Sequence, residues 1–195
     1  MKESPRWLVM LLGPIGCWIA FAWGFLEATV FFIIPDLLLS LTALFAFRKA
    51  WKQLGWMILG SILGGVGIYL WTLGAPRMAR QLVDAVPFVT EEMWLTVQLS
   101  LSQHGASGLV MGPFSGIPYK VYAVESVEKI PLALFVLFSF PARLSRLAGS
   151  VLLFGGLGTL FKRKIEARPG LTLALWGLYW VGIYIWYWGN LWGES

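Results

Sequence analysis

The chain is poor in the side chains on which most soluble enzyme chemistry is built. Among its 195 residues there is one cysteine, Cys17, and one histidine, His104, and only 13% of positions are charged. A lone cysteine excludes an intrachain disulfide and any cysteine-built metal site. A lone histidine likewise excludes a multi-histidine zinc or iron centre. The chain has no Ser-His pairing suited to an intramembrane serine protease and no run of aspartates suited to a metal-dependent transferase. The basic stretch Lys162 to Arg168-Pro169 approaches the opening of a lipid-phosphatase signature, but it is one residue short and its histidines are missing. No cofactor and no metal are expected, and the chain does not read as an enzyme.

What the sequence has in excess is apolar surface. Hydrophobic residues make up 58% of the chain, twelve of them tryptophans, and the mean hydropathy is +0.72. An average soluble domain is about 45–50% apolar and about 25% charged. A folded body this small cannot hide so much apolar surface, so part of it must face something other than water. The reading is an all-α integral membrane protein with a single membrane domain over 1–195.

Charge-free runs extend over Trp7–Leu26, Gln53–Pro76, Met93–Tyr119 and Pro169–Gly193. The first, second and fourth hold 20, 24 and 25 residues, close to the roughly 20 needed to cross a bilayer as a helix. The first is followed by no small-residue cleavage site and runs on to Glu27, so it reads as retained rather than as a signal peptide. Basic clusters lie at Lys2/Arg6, at Arg48/Lys49/Lys52 and at Lys162–Arg168. The positive-inside rule puts all three on the cytoplasmic side, and the N-terminus with them.

Residues 7–47 must then enter and leave by one face, either as two full spans or as a broken hairpin over about 10–47. Gly13-Pro14-Ile15-Gly16 and Pro35-Asp36 break the helix inside that stretch, which favours a first re-entrant hairpin. A transmembrane helix follows at 54–74, and an outer surface segment at 77–104. Residues 105–127 carry Gly105, Gly108, Gly112, Pro113, Gly116 and Pro118, and they read as a second re-entrant hairpin dipping from the opposite face. Transmembrane helices at 130–160 and 170–190 complete an inverted-repeat arrangement, which in transporters places a site near the midplane.

Five charges fall inside apolar sequence: Glu27, Asp36, Lys120, Arg143 and Arg146. Ionisable groups at that depth are costly, and they pair or mark a pathway. Arg143 and Arg146 are three apart and share a helix face. Two acids and three bases around one cavity suit an anionic head group, proton coupling, or both. Two structural alternatives stand beside this: the charges only neutralise one another, or Asp36 caps the helix after Pro35. Gly60 and Gly64 at four-residue spacing point to close helix packing. Trp176, Trp180, Trp186, Trp188 and Trp192 point to interfacial anchoring. His104 reads as an outer surface residue and Cys17 as packing.

These pieces resemble a family. Gly24-Phe-Leu-Glu27 followed by Ile33-Ile-Pro35-Asp36 is similar to the first-hairpin signature of the DedA superfamily, also called VTT-domain or SNARE-associated membrane proteins. Gly60 through Gly64, Gly67-Ile-Tyr69 and Gly74 resemble its glycine-rich helix. Gly112-Pro113-Phe-Ser-Gly-Ile-Pro118-Tyr-Lys120 and Arg143-Leu-Ser-Arg146 resemble the second hairpin and paired arginines of the YqaA-like branch. The chain has one proline before Asp36 where two are common. The resemblance covers residues 20–155. It implies two opposed re-entrant hairpins and a role in flipping or scrambling phospholipids or polyprenyl phosphate carriers, with proton coupling in some bacterial branches.

The resulting expectation is a bacterial inner-membrane lipid transporter for a phosphate-bearing lipid. Glu27 and Asp36 serve as proton-responsive acids, and Lys120, Arg143 and Arg146 as head-group binders. Pro35, Gly112, Pro113 and Pro118 are the hairpin breakers. Membrane lipids are the expected partner, a homo-oligomer is compatible, and no nucleic acid is expected. Alternative readings are a non-transporting membrane scaffold or interaction protein and a proton- or cation-coupled transporter of small solutes.

Overall fold

The computed structural model describes residues 6–87, 89–112 and 115–193, and every regular element among them is a helix. The breaker Pro113 lies outside the described residues, as do Lys2 and the side chains of Trp188 and Trp192. The helices are α1 (Arg6–Leu11), α2 (Pro14–Thr29), α3 (Asp36–Gly74), α4 (Pro76–Asp84) and α5 (Glu91–His104), then a 3₁₀ turn at Gly105–Ser107. They continue as α6 (Gly108–Met111), α7 (Tyr119–Glu125), α8 (Leu132–Leu160), α9 (Lys162–Ala167) and α10 (Pro169–Gly193).

The boundaries follow the local chemistry. Pro14, Pro76 and Pro169 each sit at the first position of a helix, where a missing N–H costs nothing. Thr90 caps α5 by accepting from the Met93 N–H at 3.4 Å, with Glu91 and Glu92 in the first turn, where the helix dipole favours acids. Gly116 at φ 77° supplies a backbone conformation that other residues rarely adopt, just before Pro118 opens α7.

The 39 residues of α3 would run about 58 Å at about 1.5 Å per residue. A break at Ala46 (φ −155°, ψ 75°) divides it. Residues 48–53, between the expected hairpin and the expected span, are helical. Arg48, Lys49, Ala50, Lys52 and Gln53 are good helix formers with no proline or glycine among them. A buried brace spans the break: Thr42 Oγ1 donates to Gln53 Oε1 at 2.7 Å, and Gln53 Nε2 donates to the Leu11 carbonyl at 2.8 Å.

Helices α2 and α3 cross with almost nothing between their backbones. A methyl group built on Gly60 would fall on the Phe21 carbonyl, one on Gly24 on the Met57 carbonyl, and one on Gly64 would lie 2.7 Å from the Phe25 carbonyl. The four-residue glycine spacing is therefore used for packing, as expected. Gly158 of α8 comes equally close to the first part of α3, its Cβ position lying 2.5 Å from the Leu44 carbonyl.

Buried apolar residues form two clusters. One joins α1, α2 and the first two-thirds of α3 to Leu147, Val151 and Phe154 of α8 and to Trp180. The other gathers α4 to α7 around Ile68, Tyr69 and Phe135. The stretch of α8 between Phe135 and Leu147 crosses the seam between them. The last helix is fastened by Trp176 and Trp180, whose indole N–H groups donate to Ser40 Oγ at 2.9 and 3.1 Å. The interfacial role expected of these two gives way to packing, because an indole N–H this close to a buried hydroxyl is satisfied inside the fold. Trp186 remains exposed.

Two helices, α3 and α8, are long and apolar enough to cross a membrane. Leu152, Leu153 and Leu157 of α8 and Leu171, Leu175 and Leu178 of α10 stand exposed. In detergent, Gly60→Val should lower thermal stability by about 1–3 kcal/mol or more through overpacking. Gly67→Ala, where an added Cβ meets nothing, should be neutral or stabilising by up to about 1 kcal/mol. Equal melting temperatures for the two variants would contradict the close crossing.

Candidate functional site

Two helix breaks carry the site. Between α2 and α3 the chain runs irregularly through residues 30–35, and before α7 through 115–118. An irregular loop packed into a helical body must find partners for its N–H and C=O groups from elsewhere. The Leu26 carbonyl of α2 accepts from the N–H groups of Val30 and Phe31 at 2.9 and 2.7 Å, and three side chains supply further partners. Trp23 Nε1 of α2 donates to the Ile33 carbonyl at 3.1 Å, and the Ile34 N–H donates to the Tyr184 hydroxyl of α10 at 3.1 Å. Lys120 Nζ, at the start of α7, donates to the Phe31 carbonyl at 2.7 Å. The two broken segments thus meet through an ammonium and a carbonyl.

All five interior charges gather around this junction. Glu27, in the last turn of α2, takes a short hydrogen-bonded ion pair from Arg143 of α8. The Arg143 guanidinium also lies 5.1 Å from the centre of the Tyr119 ring, a favourable cation–π distance. Tyr119 is held in turn: its hydroxyl donates to Ser139 Oγ at 2.5 Å, Ser139 donates to the Phe135 carbonyl at 2.6 Å, and the ring stacks on Phe135. The ring fits because Gly65 faces it; a Cβ there would lie 2.6 Å from a ring carbon.

Asp36 is the first residue of α3 and its side chain makes no cap bond. The capping alternative therefore fails. Its Oδ1 accepts a short hydrogen bond from Ser150 of α8, while Oδ2 lies 3.9 Å from Arg146 and makes no hydrogen bond. Spacing on α8 explains the set: Arg143, Arg146 and Ser150 are separated by three and four residues and form one stripe. The pairing is asymmetric. Arg143 is 2% exposed and locked to Glu27, whereas Arg146 keeps a looser partner and a side chain 24% exposed.

A cavity of about 200 Å³ opens beside the junction, lined in part by Glu27, Phe31, Lys120, Arg146 and Tyr184. Arg143 and Asp36 do not line it; they stand behind Glu27 and Arg146. Lys120, only 1% exposed as a residue, has no carboxylate within ion-pair distance among the described residues. Three cations meet two carboxylates, so one positive charge is left over at the cavity. A planar guanidinium beside an ammonium has the chemistry that suits phosphate oxygens.

Among the hairpin breakers, Pro35 and Pro118 immediately precede the segments that hold Asp36 and Lys120. Gly112 lies against the Tyr122 ring, 2.5 Å from the nearest ring carbon if a Cβ is added. Sequence reasoning missed Tyr184, Ser150, Trp23 and Tyr119. Two had a readable signal. Ser150 continues the Arg143–Arg146 stripe, and Tyr184 continues the four-residue spacing of Trp176 and Trp180. His104 is exposed and Cys17 half-buried, both away from the site. Among the described residues no group of three metal-ligating side chains occurs.

No family model matches the chain, and no curated protein or solved structure is significantly similar to it.

Removing one partner of a buried ion pair strands the other charge at a cost of about 3–5 kcal/mol, whereas removing both costs much less. Arg143→Met and Glu27→Leu should each destabilise the protein by that amount in denaturation experiments. The double variant should lie well below the sum. Strictly additive effects would show that the two side chains do not act as a pair.

Proposed function

We propose that the chain is an integral membrane protein of the DedA type that moves a phosphate-bearing lipid between leaflets. The observation that carries this reading is the unbalanced positive charge of Lys120 and Arg146 at a cavity where two broken helical segments meet. The lengths support it. Helix α2 has 16 residues, α6 four and α7 seven, or about 24, 6 and 10 Å, all short of the about 30 Å of bilayer hydrocarbon. The part of α3 before Ala46 is shorter still than α2. Re-entrant hairpins are what such pieces can form, and irregular backbone at depth is tolerated where it is buried in protein or lines a wet cavity. The exposed leucines of α8 and α10 would then face lipid.

In this mechanism Lys120 and Arg146 contact the head-group phosphate. Arg143 acts behind them as a positioning residue that holds Glu27. An incoming phosphate competes with Asp36 for Arg146, the weaker of the two pairings. Protonation of Asp36, whose Oδ2 has no hydrogen bond to lose, would release Arg146 toward the cavity and couple lipid binding to a proton. Topology follows the basic clusters, with the N-terminus and α9 on the cytoplasmic face of a bacterial inner membrane.

The test is flipping of a fluorescent anionic lipid in vesicles carrying the purified protein, with and without a proton gradient. Lys120→Gln and Arg146→Gln should each reduce the rate at least about tenfold while the protein stays folded. Asp36→Asn should abolish any dependence on the gradient. A rate equal to protein-free vesicles would leave the paired charges as braces of a non-transporting scaffold.

A further inference from the structure

The basic run at 162–168 takes no part in the central site. It closes one end of a second opening, a groove of about 880 Å³ between α8, α9 and α10. Arg163, Lys164 and Arg168 stand there, all exposed, with Lys164 Nζ 5.6 Å from the Phe161 ring centre. The walls are apolar and open: Leu153, Leu157, Leu171, Leu175 and Tyr179 line the groove and are exposed. Along α8 the wall from Leu153 to Phe161 runs about 12 Å.

Charge separates this groove from its neighbour across α9. The neighbouring opening, about 660 Å³, holds Arg48, Lys49 and Lys162 but also Glu166, which lies 4.0 Å from Lys162. The α8–α9–α10 groove contains no carboxylate among the described residues that line it, so its three cations are unopposed. They sit together at one end, and the remainder is hydrocarbon. A free anion has no use for the long apolar wall, and an apolar helix has no use for three clustered cations. The complementary ligand is amphipathic, with a negative head and a long tail.

We propose that this groove is a resident binding site for an anionic glycerophospholipid, with the phosphate on Arg163, Lys164 and Arg168 and acyl chain along α8 and α10. Basic pockets between membrane helices bind such head groups, and arginine forks match phosphate oxygens. The groove shares no lining residue with the cavity at Lys120 and Arg146. It requires the chain to lie in a bilayer, and it does not depend on lipid transport.

The experiment is native mass spectrometry of the full chain in neutral detergent, titrated with phosphatidylglycerol or phosphatidylcholine. Wild type should retain phosphatidylglycerol selectively. The triple variant Arg163→Gln/Lys164→Gln/Arg168→Gln should bind it about 100-fold more weakly. Removing as much charge elsewhere, in Arg48→Gln/Lys49→Gln/Lys52→Gln, should leave binding within about twofold. Equal retention of the two lipids, or equal losses from the two triple variants, would overturn the proposal. Loss of binding in Lys120→Gln alone would assign the lipid to the central cavity instead.

Discussion

The hydrogen bond from Lys120 to the Phe31 carbonyl joins two of the places where the helical backbone is interrupted. A helix satisfies its own backbone, so it can be buried anywhere its side chains allow. A break cannot, and the loop at 30–35 must borrow donors and acceptors. It borrows them from Trp23, Lys120 and Tyr184, which belong to α2, α7 and α10. The need for these partners fixes the start of α7 and the middle of α10 against the same few residues. The cavity is the space left among side chains collected for that purpose.

The charges obey the same logic one layer further back. Two apolar clusters fill the molecule, and the polar stripe of α8 runs across the seam between them. Burial of Glu27 and Asp36 is tolerable only if α8 delivers a cation to each. Arginines three residues apart do so from adjacent turns of one helix. The deliveries differ in quality. One guanidinium is buried, bonded and stacked near an aromatic ring; the other is half-open and 3.9 Å from its acid.

Much of this was legible in the sequence because charges inside apolar runs are conspicuous. The five that stand out are the five that converge, and the glycines and prolines around them mark the breaks. Which arginine serves which acid was not legible, since both lie on one face and either could reach. A helix cap stood as an alternative for Asp36 because cap and ion-pair partner are the same residue type beside the same proline. Trp176 and Trp180 looked like interfacial anchors because an indole has the same letter whether its N–H meets a head group or Ser40.

The crossing of α2 and α3 has a mechanical consequence. Where Gly24, Gly60 and Gly64 bring main chains into contact, there are no rotamers to exchange and no soft side-chain layer to shear. The two rods are riveted there. Any rearrangement that opens the neighbouring cavity must leave this joint intact and concentrate its bending at the loop of residues 30–35 and at Ala46, the two points where the main chain already departs from the helix. The Thr42–Gln53 bond bridges the second of these like a strut. Its strength sets how far the short arm that begins at Asp36 can swing.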